Sequence, residues 1–236
     1  MESTVLTDGL TALRIDPAHA DTLLAYLQCV LDKNTVMNLT AITDPDEAVK
    51  LHLLDCAALI PQYEFAGKSV IDVGCGAGFP GMPLRICEPS IRLTLLDATE
   101  KKIAFLKETV DALKLENITC IHARAEEYAV VPPKGMRESF DVAVSRAVAR
   151  LNILAELCLP LVKMKGMFCA MKSAGSDEEI NEAKSAIQKL GGQIAHVEDY
   201  TVPGTDVMHR AVWVEKVSAT PGMYPRRFAK IKQLPL

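Results

Sequence analysis

The sequence of 236 residues predicts an α/β protein with a seven-stranded, mostly parallel sheet that ends in an antiparallel hairpin. Between Ser69 and residue 190, short apolar segments alternate with helical segments, which is the pattern of parallel strands joined by right-handed crossovers. The last two apolar segments, GQIAHVEDYTV and HRAVWVEKV, are separated by a link containing PGTD and no helix, so they should pair antiparallel. A glycine-rich segment, VIDVGCGAGFPG, begins in the first strand and predicts a ligand site at its end.

Residues 1–62 are predicted to form a helical appendage in front of the sheet. One helix is expected over 16–34, because Asp16 can cap it and Pro17 suits its first turn. A second helix is expected to begin at Asp44, which is followed by a proline and two acidic residues. It should end near Ile60, because Pro61 follows.

The main domain is expected over 63–220, followed by a basic tail over 221–236. Its parallel strands are predicted at SVIDV (69–73), RLTLLD (92–97), ITCIHA (118–123), FDVAVS (140–145) and KGMFCAMK (165–172). Helices are predicted after the glycines, over 100–115, near Ala125, from about Arg150 and over 176–190. A parallel sheet that closes in a hairpin is less common among dehydrogenases and has the order of the seven-stranded methyltransferase fold.

The composition is that of a globular protein with reduced thiols. No segment approaches the roughly 18 apolar residues of a membrane span, and MESTVLTDGL lacks the basic and apolar regions of a signal peptide. The seven cysteines are odd in number and form no C-x-x-C pair, which argues against disulfides and zinc. We therefore expect a cytoplasmic protein without a metal site.

The glycine-rich turn fits two cofactor patterns. Gly76, Gly78 and Gly81 satisfy the dinucleotide fingerprint G-x-G-x-x-G, whereas Gly74, Gly76 and Gly78 satisfy the G-x-G-x-G of enzymes that use S-adenosylmethionine. Both patterns serve the same need, because glycines let the backbone turn sharply and approach a ligand.

The residues around the glycines favour S-adenosylmethionine. Phe79 and Pro80 interrupt the segment where a pyrophosphate-binding helix would begin. Asp72, at the strand end, suits a cofactor with an ammonium and a sulfonium better than one with a pyrophosphate.

Three further strand ends supply candidate cofactor contacts. Asp97 ends the second strand 19 residues beyond Gly78 and can accept both ribose hydroxyls, although a lone acid there is more often a helix cap. Ala125 and Glu126 follow the third strand and can bind N1 and the amino group of adenine, or simply begin a solvated helix. Arg146 ends the fourth strand and is a candidate phosphate or cofactor clamp, with a surface ion pair as the alternative.

The end of the fourth strand also excludes two kinds of methyl transfer. It contains no N/D-P-P-Y/F, which holds an exocyclic amine, and no Pro-Cys, which supplies the covalent nucleophile at pyrimidine carbon 5.

The charge distribution points to a local contact with nucleic acid. The chain has a net charge of −4, but residues 1–60 carry nine acids and three bases, and the last 16 residues carry four bases and no acid. Candidate RNA contacts are Lys163, Lys165, Arg226, Arg227, Lys230 and Lys232. Two alternatives remain for the tail: it is only solvated, or it packs on the sheet edge and closes the methionine end of the pocket through Tyr224 and Phe228.

Seven segments together resemble one family, the small-subunit ribosomal RNA methyltransferase G family, also called glucose-inhibited division protein B. They are MNLTAI, HLLD, DVGCGAGFPG, LLDATEKK, ARAEE, SRAVA and the terminal YPRR…PL. The resemblance implies a Rossmann-like class I fold and a cytoplasmic bacterial enzyme. It further implies that S-adenosylmethionine is used to methylate guanine N7 in a loop of 16S rRNA.

The resemblance also implies which residues bind the cofactor. They are Gly74, Phe79, Ala125, Glu126 and Arg146, with Asp97, Ala98 and Thr99 on the ribose side; Asp72, Gly76 and Gly78 are secondary candidates. The sequence departs from the family at Cys56, where members often have serine, and in RRFAKIKQ, where many have a glycine–proline turn.

Guanine N7 carries a lone pair and no proton, so its methylation requires no general base and we assign no catalytic acid or base. Arg146 is a candidate for positioning. The expected partner is 16S rRNA, the small subunit or its assembly intermediate, and we expect a monomer without membrane contact. The alternatives are a small-molecule methyltransferase, an NAD enzyme and a non-catalytic assembly factor that binds S-adenosylmethionine.

Overall fold

The computed structural model describes residues 3–130, 133, 135–146 and 149–236. Its centre is a seven-stranded sheet in the order β3-β2-β1-β4-β5-β7-β6. The strands are β1 Ser69–Val73, β2 Arg92–Asp97, β3 Ile118–His122, β4 Phe140–Arg146, β5 Val162–Ser173, β6 Gly192–Thr201 and β7 Met208–Lys216. The first five are parallel to one another, and β7 runs antiparallel to β5 and β6. The predicted fold class is therefore confirmed.

The helices connect these strands and cover both faces of the sheet. They are α1 Ser3–Ala12, α2 Ala20–Asn34, α3 Pro45–Ala48, α4 Asp55–Ala57, α5 Gly81–Cys87, α6 Glu100–Ala112, α7 Ala125–Tyr128, α8 Leu151–Cys158, α9 Asp177–Lys189 and α10 Phe228–Gln233. Short 3₁₀ turns lie at Pro17–His19, Ile60–Gln62 and Leu159–Leu161.

The N-terminal helices follow the predicted caps but differ in detail. Asp16 accepts the N–H of Ala18 at 2.9 Å, and Asp44 accepts the N–H groups of Asp46 and Glu47. The first predicted helix begins as a 3₁₀ turn, and α1 was not predicted. The second predicted helix contains a π-helical segment over Val49–Leu54 and ends at Ala57, short of the expected Ile60.

Two apolar cores lie on opposite faces of the sheet. The N-terminal helices, α5 and α6 share the first core with residues such as Val70 and Leu93. Helices α8 and α9 and the tail residue Ile231 share the second core. The N-terminal helices and the tail are thus packed on the sheet rather than attached beside it.

Within the described residues, no helix is long and apolar enough to span a membrane. Among the same residues, no group of three or more His, Cys, Asp or Glu side chains is arranged to hold a metal ion.

Candidate functional site

A cavity of about 650 Å³ lies at the carboxyl ends of β1 to β4. Ligands bind at this edge in open α/β sheets. Its lining includes eight of the predicted cofactor residues, namely Gly74, Gly76, Phe79, Asp97, Ala98, Ala125, Glu126 and Arg146. The lining also includes Phe228, which was considered from sequence as part of a tail that closes the pocket. Other lining residues were not assigned to the cofactor, among them Leu39, Thr40, His52, Lys102, Arg124 and Leu157.

The three glycines that follow β1 share a positive φ but differ from one another in their surroundings. Gly74, Gly76 and Gly78 have φ values of 72°, 59° and 105°, which favour glycine. A Cβ on Gly76 would meet nothing closer than 4.0 Å, whereas one on Gly78 would lie 2.7 Å from Met82 Cγ and 2.8 Å from Tyr26 Oη. Gly78 therefore packs against the N-terminal layer instead of lining the cavity, which differs from its assignment as a secondary cofactor residue.

Asp72 also has a different role from the one expected. It is fully buried and absent from the cavity lining, because its Oδ2 accepts the N–H of Gly81 at 2.8 Å. Oδ1 has no hydrogen-bond partner among the described residues. Burial raises the pKa of Asp72 to about 7. The side chain secures the start of α5 and does not present a charge to a ligand.

Asp97 connects the glycine turn to the start of α6. Its Oδ2 accepts the N–H of Gly76 at 3.0 Å, and its Oδ1 accepts the N–H of Thr99 at 2.8 Å. Each carboxylate oxygen retains a lone pair for a ligand donor. Thr99 occupies the cap position of α6 but makes no side-chain cap bond and does not line the cavity.

The side of the cavity beyond β2 and β3 combines charged side chains with an apolar wall. Glu126 has a side chain only 9% exposed, at the first turn of α7. The guanidinium of Arg124 lies 5.5 Å from the centre of the Phe228 ring, and Phe228 and Leu157 complete the wall. A flat base fits between such groups, and Glu126 can accept from its amino group.

Arg146 occupies the β4 side of the cavity. Its Nη1 donates to Asp55 Oδ2 at 3.0 Å and to the Leu51 carbonyl at 3.2 Å, and its Nη2 lies 3.0 Å from Nδ1 of His52. The guanidinium also lies over the Phe79 ring at 4.9 Å. The surface ion pair considered from sequence is thus a partly buried one with Asp55. Within the SRAVA motif, Ala147 and Val148 lie outside the described residues.

His52 comes from the π-helical segment and stacks on Phe79 with ring centres 4.5 Å apart. Burial, together with the charge of Arg146, lowers the pKa of His52 to about 4. The ring is therefore neutral near pH 7. π-helical turns are rare in proteins, and many of those that occur lie at functional sites. Here the π-helical turn directs the His52 ring towards the cavity.

Asp55 extends this network to the antiparallel edge of the sheet. Its Oδ1 accepts from Tyr200 Oη at 2.9 Å and lies 2.7 Å from His209 Nδ1. Hydrogen bonding to Asp55 raises the pKa of His209, and the donors around Asp55 outweigh its burial and lower its pKa. The next residue, Cys56, is fully buried.

The sequence offered one signal for these unassigned residues. His52 and Asp55 are polar side chains in a mostly apolar helical stretch, AVKLHLLDCAALI. A buried polar pair in such a stretch requires partners. Those partners come from the loop at Thr40 and from β4, β6 and β7, so their identity could not be predicted from the local pattern.

Two of the six predicted RNA contacts form ion pairs within the protein. Arg226 binds the fully buried Glu156 through Nε at 2.8 Å and Nη2 at 2.6 Å, so its charge is used inside the protein. Lys163 pairs with Asp141. The remaining candidates, Lys165, Arg227, Lys230 and Lys232, are exposed. The tail reaches the cavity through Phe228, beside Arg124 and Leu157 rather than beside Arg146.

The lining fits S-adenosylmethionine. Open space lies beside Gly76, Asp97 and Glu126 supply acceptors, and an apolar wall lies between α7, α8 and the tail. The N–H groups of the glycine turn that a pyrophosphate would need are already bonded within the protein. Those of residues 74 and 75 donate to the Leu96 carbonyl, that of Gly76 donates to Asp97, and those of residues 78 and 79 donate to the Cys75 carbonyl.

The chain matches known proteins over most of its length. The family described as rRNA small subunit methyltransferase G matches residues 19–206. A protein of Lachnoclostridium phytofermentans named ribosomal RNA small subunit methyltransferase G is 40% identical over 238 residues, covering 100% of this chain and 98% of the relative. A protein of the same name from Clostridium perfringens is 43% identical over 214 residues, covering 90% of this chain and 89% of the relative.

Solved structures share the fold at low sequence identity. A SAM-dependent methyltransferase from Aquifex aeolicus has a TM-score of 0.52 and 19% identity, covering 74% of this chain and 99% of that one. The complex of M. jannaschii TYW2 with AdoMet has a TM-score of 0.52 and 16% identity, covering 64% and 70%.

Proposed function

The chain belongs to the rRNA small subunit methyltransferase G family, and from this premise we propose that it transfers a methyl group from S-adenosylmethionine to N7 of a loop guanine in 16S rRNA. The observation that carries the proposal is the cavity at the carboxyl ends of β1 to β4. It combines acceptors for a nucleoside on the β2–β3 side with an enclosed arginine on the β4 side.

The cofactor would be held along the sheet edge. Asp97 would accept from the ribose hydroxyls, since its carboxylate is already oriented by Gly76 and Thr99. Ala125 and Glu126 would take the adenine edge, with Phe228 and Leu157 against its faces. Gly74 and Phe79 would lie beside the remainder of the cofactor, which supplies an electrophilic methyl group when bound.

The chain's contribution to the reaction is alignment. Guanine N7 has an in-plane lone pair and no proton, so no side chain has to remove one. Arg146 is fixed by Asp55, the Leu51 carbonyl and His52 and can hold a reactant at one orientation. The Asp55 carboxylate balances the guanidinium charge, so Arg146 does not oppose the positive charge that the purine gains.

The target guanine must come from a loop or be flipped out of a helix. The major groove of an RNA duplex, where N7 lies, is too narrow for side chains. We propose that Lys165, Arg227, Lys230 and Lys232 bind phosphates around it. We further propose that the chain acts as a monomer in the cytoplasm, which light scattering and cell fractionation test.

Methyl transfer to small ribosomal subunits tests the function directly. Subunits from a strain without the modification are incubated with methyl-labelled S-adenosylmethionine and the protein, and digested rRNA is analysed for 7-methylguanine. We expect one labelled guanine, and strongly reduced labelling with Glu126→Ala. Labelled cofactor binding without transfer would instead indicate an assembly factor. Transfer to small molecules but not to rRNA would indicate a small-molecule enzyme, and NAD binding would contradict the cofactor.

A further inference from the structure

The MNLTAI segment of the sequence has no role in the function described so far. The structure places its Thr40 in the cavity lining, on the side of His52 and Arg146. Because β4 neighbours β1 on the side opposite to β2 and β3, this part of the cavity lies away from Asp97 and Glu126. It is the part available to a second reactant.

The loop that carries Thr40 is held in place by Asn34. The Asn34 Oδ1 accepts the N–H groups of Leu39 at 2.7 Å and Thr40 at 3.0 Å, and Nδ2 donates to the Thr40 carbonyl at 3.0 Å. The half-buried Thr40 therefore has a fixed backbone position beside the cavity. Such fixing is expected of a residue that orients a ligand.

The hydrogen bonds around His52 determine which way the Thr40 hydroxyl bonds. A guanidinium can only donate, so the His52 Nδ1 that lies 3.0 Å from Arg146 Nη2 must accept. The Leu51 carbonyl, 3.2 Å from the same Nδ1, accepts from Arg146 Nη1 instead. The neutral ring then carries its proton on Nε2, which donates to Thr40 Oγ1 at 2.7 Å.

The same oxygen accepts a second hydrogen bond from the Ile42 N–H at 3.1 Å. Both lone pairs of Thr40 Oγ1 are thus used, and the hydroxyl proton remains. Among the described residues, that proton has no acceptor within hydrogen-bond distance. Thr40 can therefore act towards the cavity as a donor but not as an acceptor.

We propose that Thr40 is a specificity-determining residue, whose hydroxyl donates to O6 of the target guanine. The inference rests on the proposed function and names how the same site recognises its base. Guanine presents O6 beside N7, so a donor to O6 fixes the base while leaving N7 free for the methyl group. Adenine presents an amino group in that position, and Thr40 has no lone pair left to accept from it.

The test removes the hydroxyl and the base oxygen separately and together. The substrates are small subunits assembled on ligated 16S rRNA with guanine or 2-aminopurine at the target position; 2-aminopurine keeps N7 and lacks O6. The variants are Thr40→Val, which removes the hydroxyl both as a donor and as the acceptor of His52 and Ile42, and Thr40→Ser, which restores it. Thr43→Val, an exposed threonine of the same loop, is the control.

On guanine, we expect Thr40→Val to lower kcat/KM about 10- to 100-fold, the scale of one good base-edge contact. Thr40→Ser should recover most of this loss. The dissociation constant of S-adenosylmethionine should change less than about twofold, since Thr40 lies on the Arg146 side of the cavity, away from the proposed nucleoside contacts Asp97 and Glu126. On 2-aminopurine, Thr40→Val should lose at least several-fold less kcat/KM than on guanine, because only the effect of the broken bonds to His52 and Ile42 remains.

An equal loss on guanine and 2-aminopurine would overturn the proposal, because it would mean that the valine disturbs the loop. So would a guanine rate unchanged by Thr40→Val while the wild type forms 7-methylguanine, and in that case the proposed function stands. A wild type that transfers nothing to guanine N7 would overturn the proposed function and this inference together.

Discussion

At the scale of single residues, Asp97 combines a structural task with the proposed ribose contact. Its two oxygens already accept from Gly76 and Thr99. We expect Asp97→Ala to weaken S-adenosylmethionine binding by about 1–3 kcal/mol, because charge-assisted hydrogen bonds are removed and the glycine turn loses its acceptor. Calorimetry on the folded variant measures this, with the exposed Asp111→Ala on α6 as the control. Unchanged affinity would contradict the ribose role.

Asp72 should make the free energy of unfolding depend on pH, and its raised pKa determines the sign of that dependence. Its pKa of about 7 in the folded state exceeds the ordinary value of 3.8, so the folded protein holds this proton more tightly than the unfolded chain. The free energy of unfolding that this tighter proton binding contributes is therefore lost as the pH rises from about 4 to about 7. Asp72→Asn, which keeps an acceptor for Gly81, should gain stability relative to wild type over that range.

Urea unfolding of the cofactor-free protein at several pH values between 5 and 8 measures the Asp72 effect. Asp111→Asn serves as the control for removing one carboxylate. A difference between Asp72→Asn and wild type that stays constant with pH would show that the buried carboxyl does not change its proton occupancy on folding.

The position of a residue could be predicted where it depends on the residue's own strand. Asp97 and Glu126 were placed at strand ends by periodicity, and the structure puts both in the cavity lining; their cofactor roles remain predictions. The direction of the Asp72 side chain could not be predicted in this way, because it depends on the side to which the strand end turns. In the structure the side chain faces Gly81.

At the scale of elements, the glycine turn is fitted between the cavity and the N-terminal helices. Tyr26 of α2 is fully buried and donates to the Ala77 carbonyl at 2.8 Å. Gly78 leaves room for the same side chain. The N-terminal helices predicted from sequence therefore support the glycine turn directly, an arrangement that no local pattern indicates.

We expect Gly78→Ala to destabilise the protein by about 2–4 kcal/mol, because a methyl group would collide with Met82 and Tyr26 in a left-handed backbone conformation. Gly175 is the matched control. It also has a positive φ, +83°, but a Cβ there meets nothing within 4 Å. Gly175→Ala should cost only about 1 kcal/mol. Equal losses in thermal unfolding would show that the close packing at Gly78 does not matter.

The boundaries of elements were predictable where caps or strand patterns marked them. Asp44 began its helix as expected, and all seven strands overlap their predicted segments, although β5 begins at Val162, three residues before its predicted start. The π-helical segment over Val49–Leu54 was not predictable, because it is stabilised by tertiary bonds from His52 to Thr40 and Arg146.

At the scale of the whole molecule, the tail is divided between packing and exposure. Ile231 is fully buried in the second core, Arg137 donates to the carbonyls of Thr220 and Tyr224, and Phe228 lines the cavity. The four basic residues of the tail are alike in sequence. The buried ion pair of Arg226 could not be predicted, because its partner Glu156 lies 70 residues earlier in the chain.

The structure therefore predicts two different outcomes for the tail. Arg226→Gln should cost about 3–5 kcal/mol of stability, because it leaves the fully buried Glu156 without its cation.

Replacing the exposed Arg227, Lys230 and Lys232 by glutamine should leave stability and cofactor affinity unchanged. The triple variant should bind small subunits more weakly, and its log–log salt dependence should flatten by about 0.7–0.9 for each phosphate that is no longer neutralised. Binding titrations at several salt concentrations, with thermal unfolding of both variants, measure these effects. An unchanged slope in the triple variant would remove the tail from the RNA-binding surface, and an unaltered stability of Arg226→Gln would show that the Glu156 pair does not hold the tail.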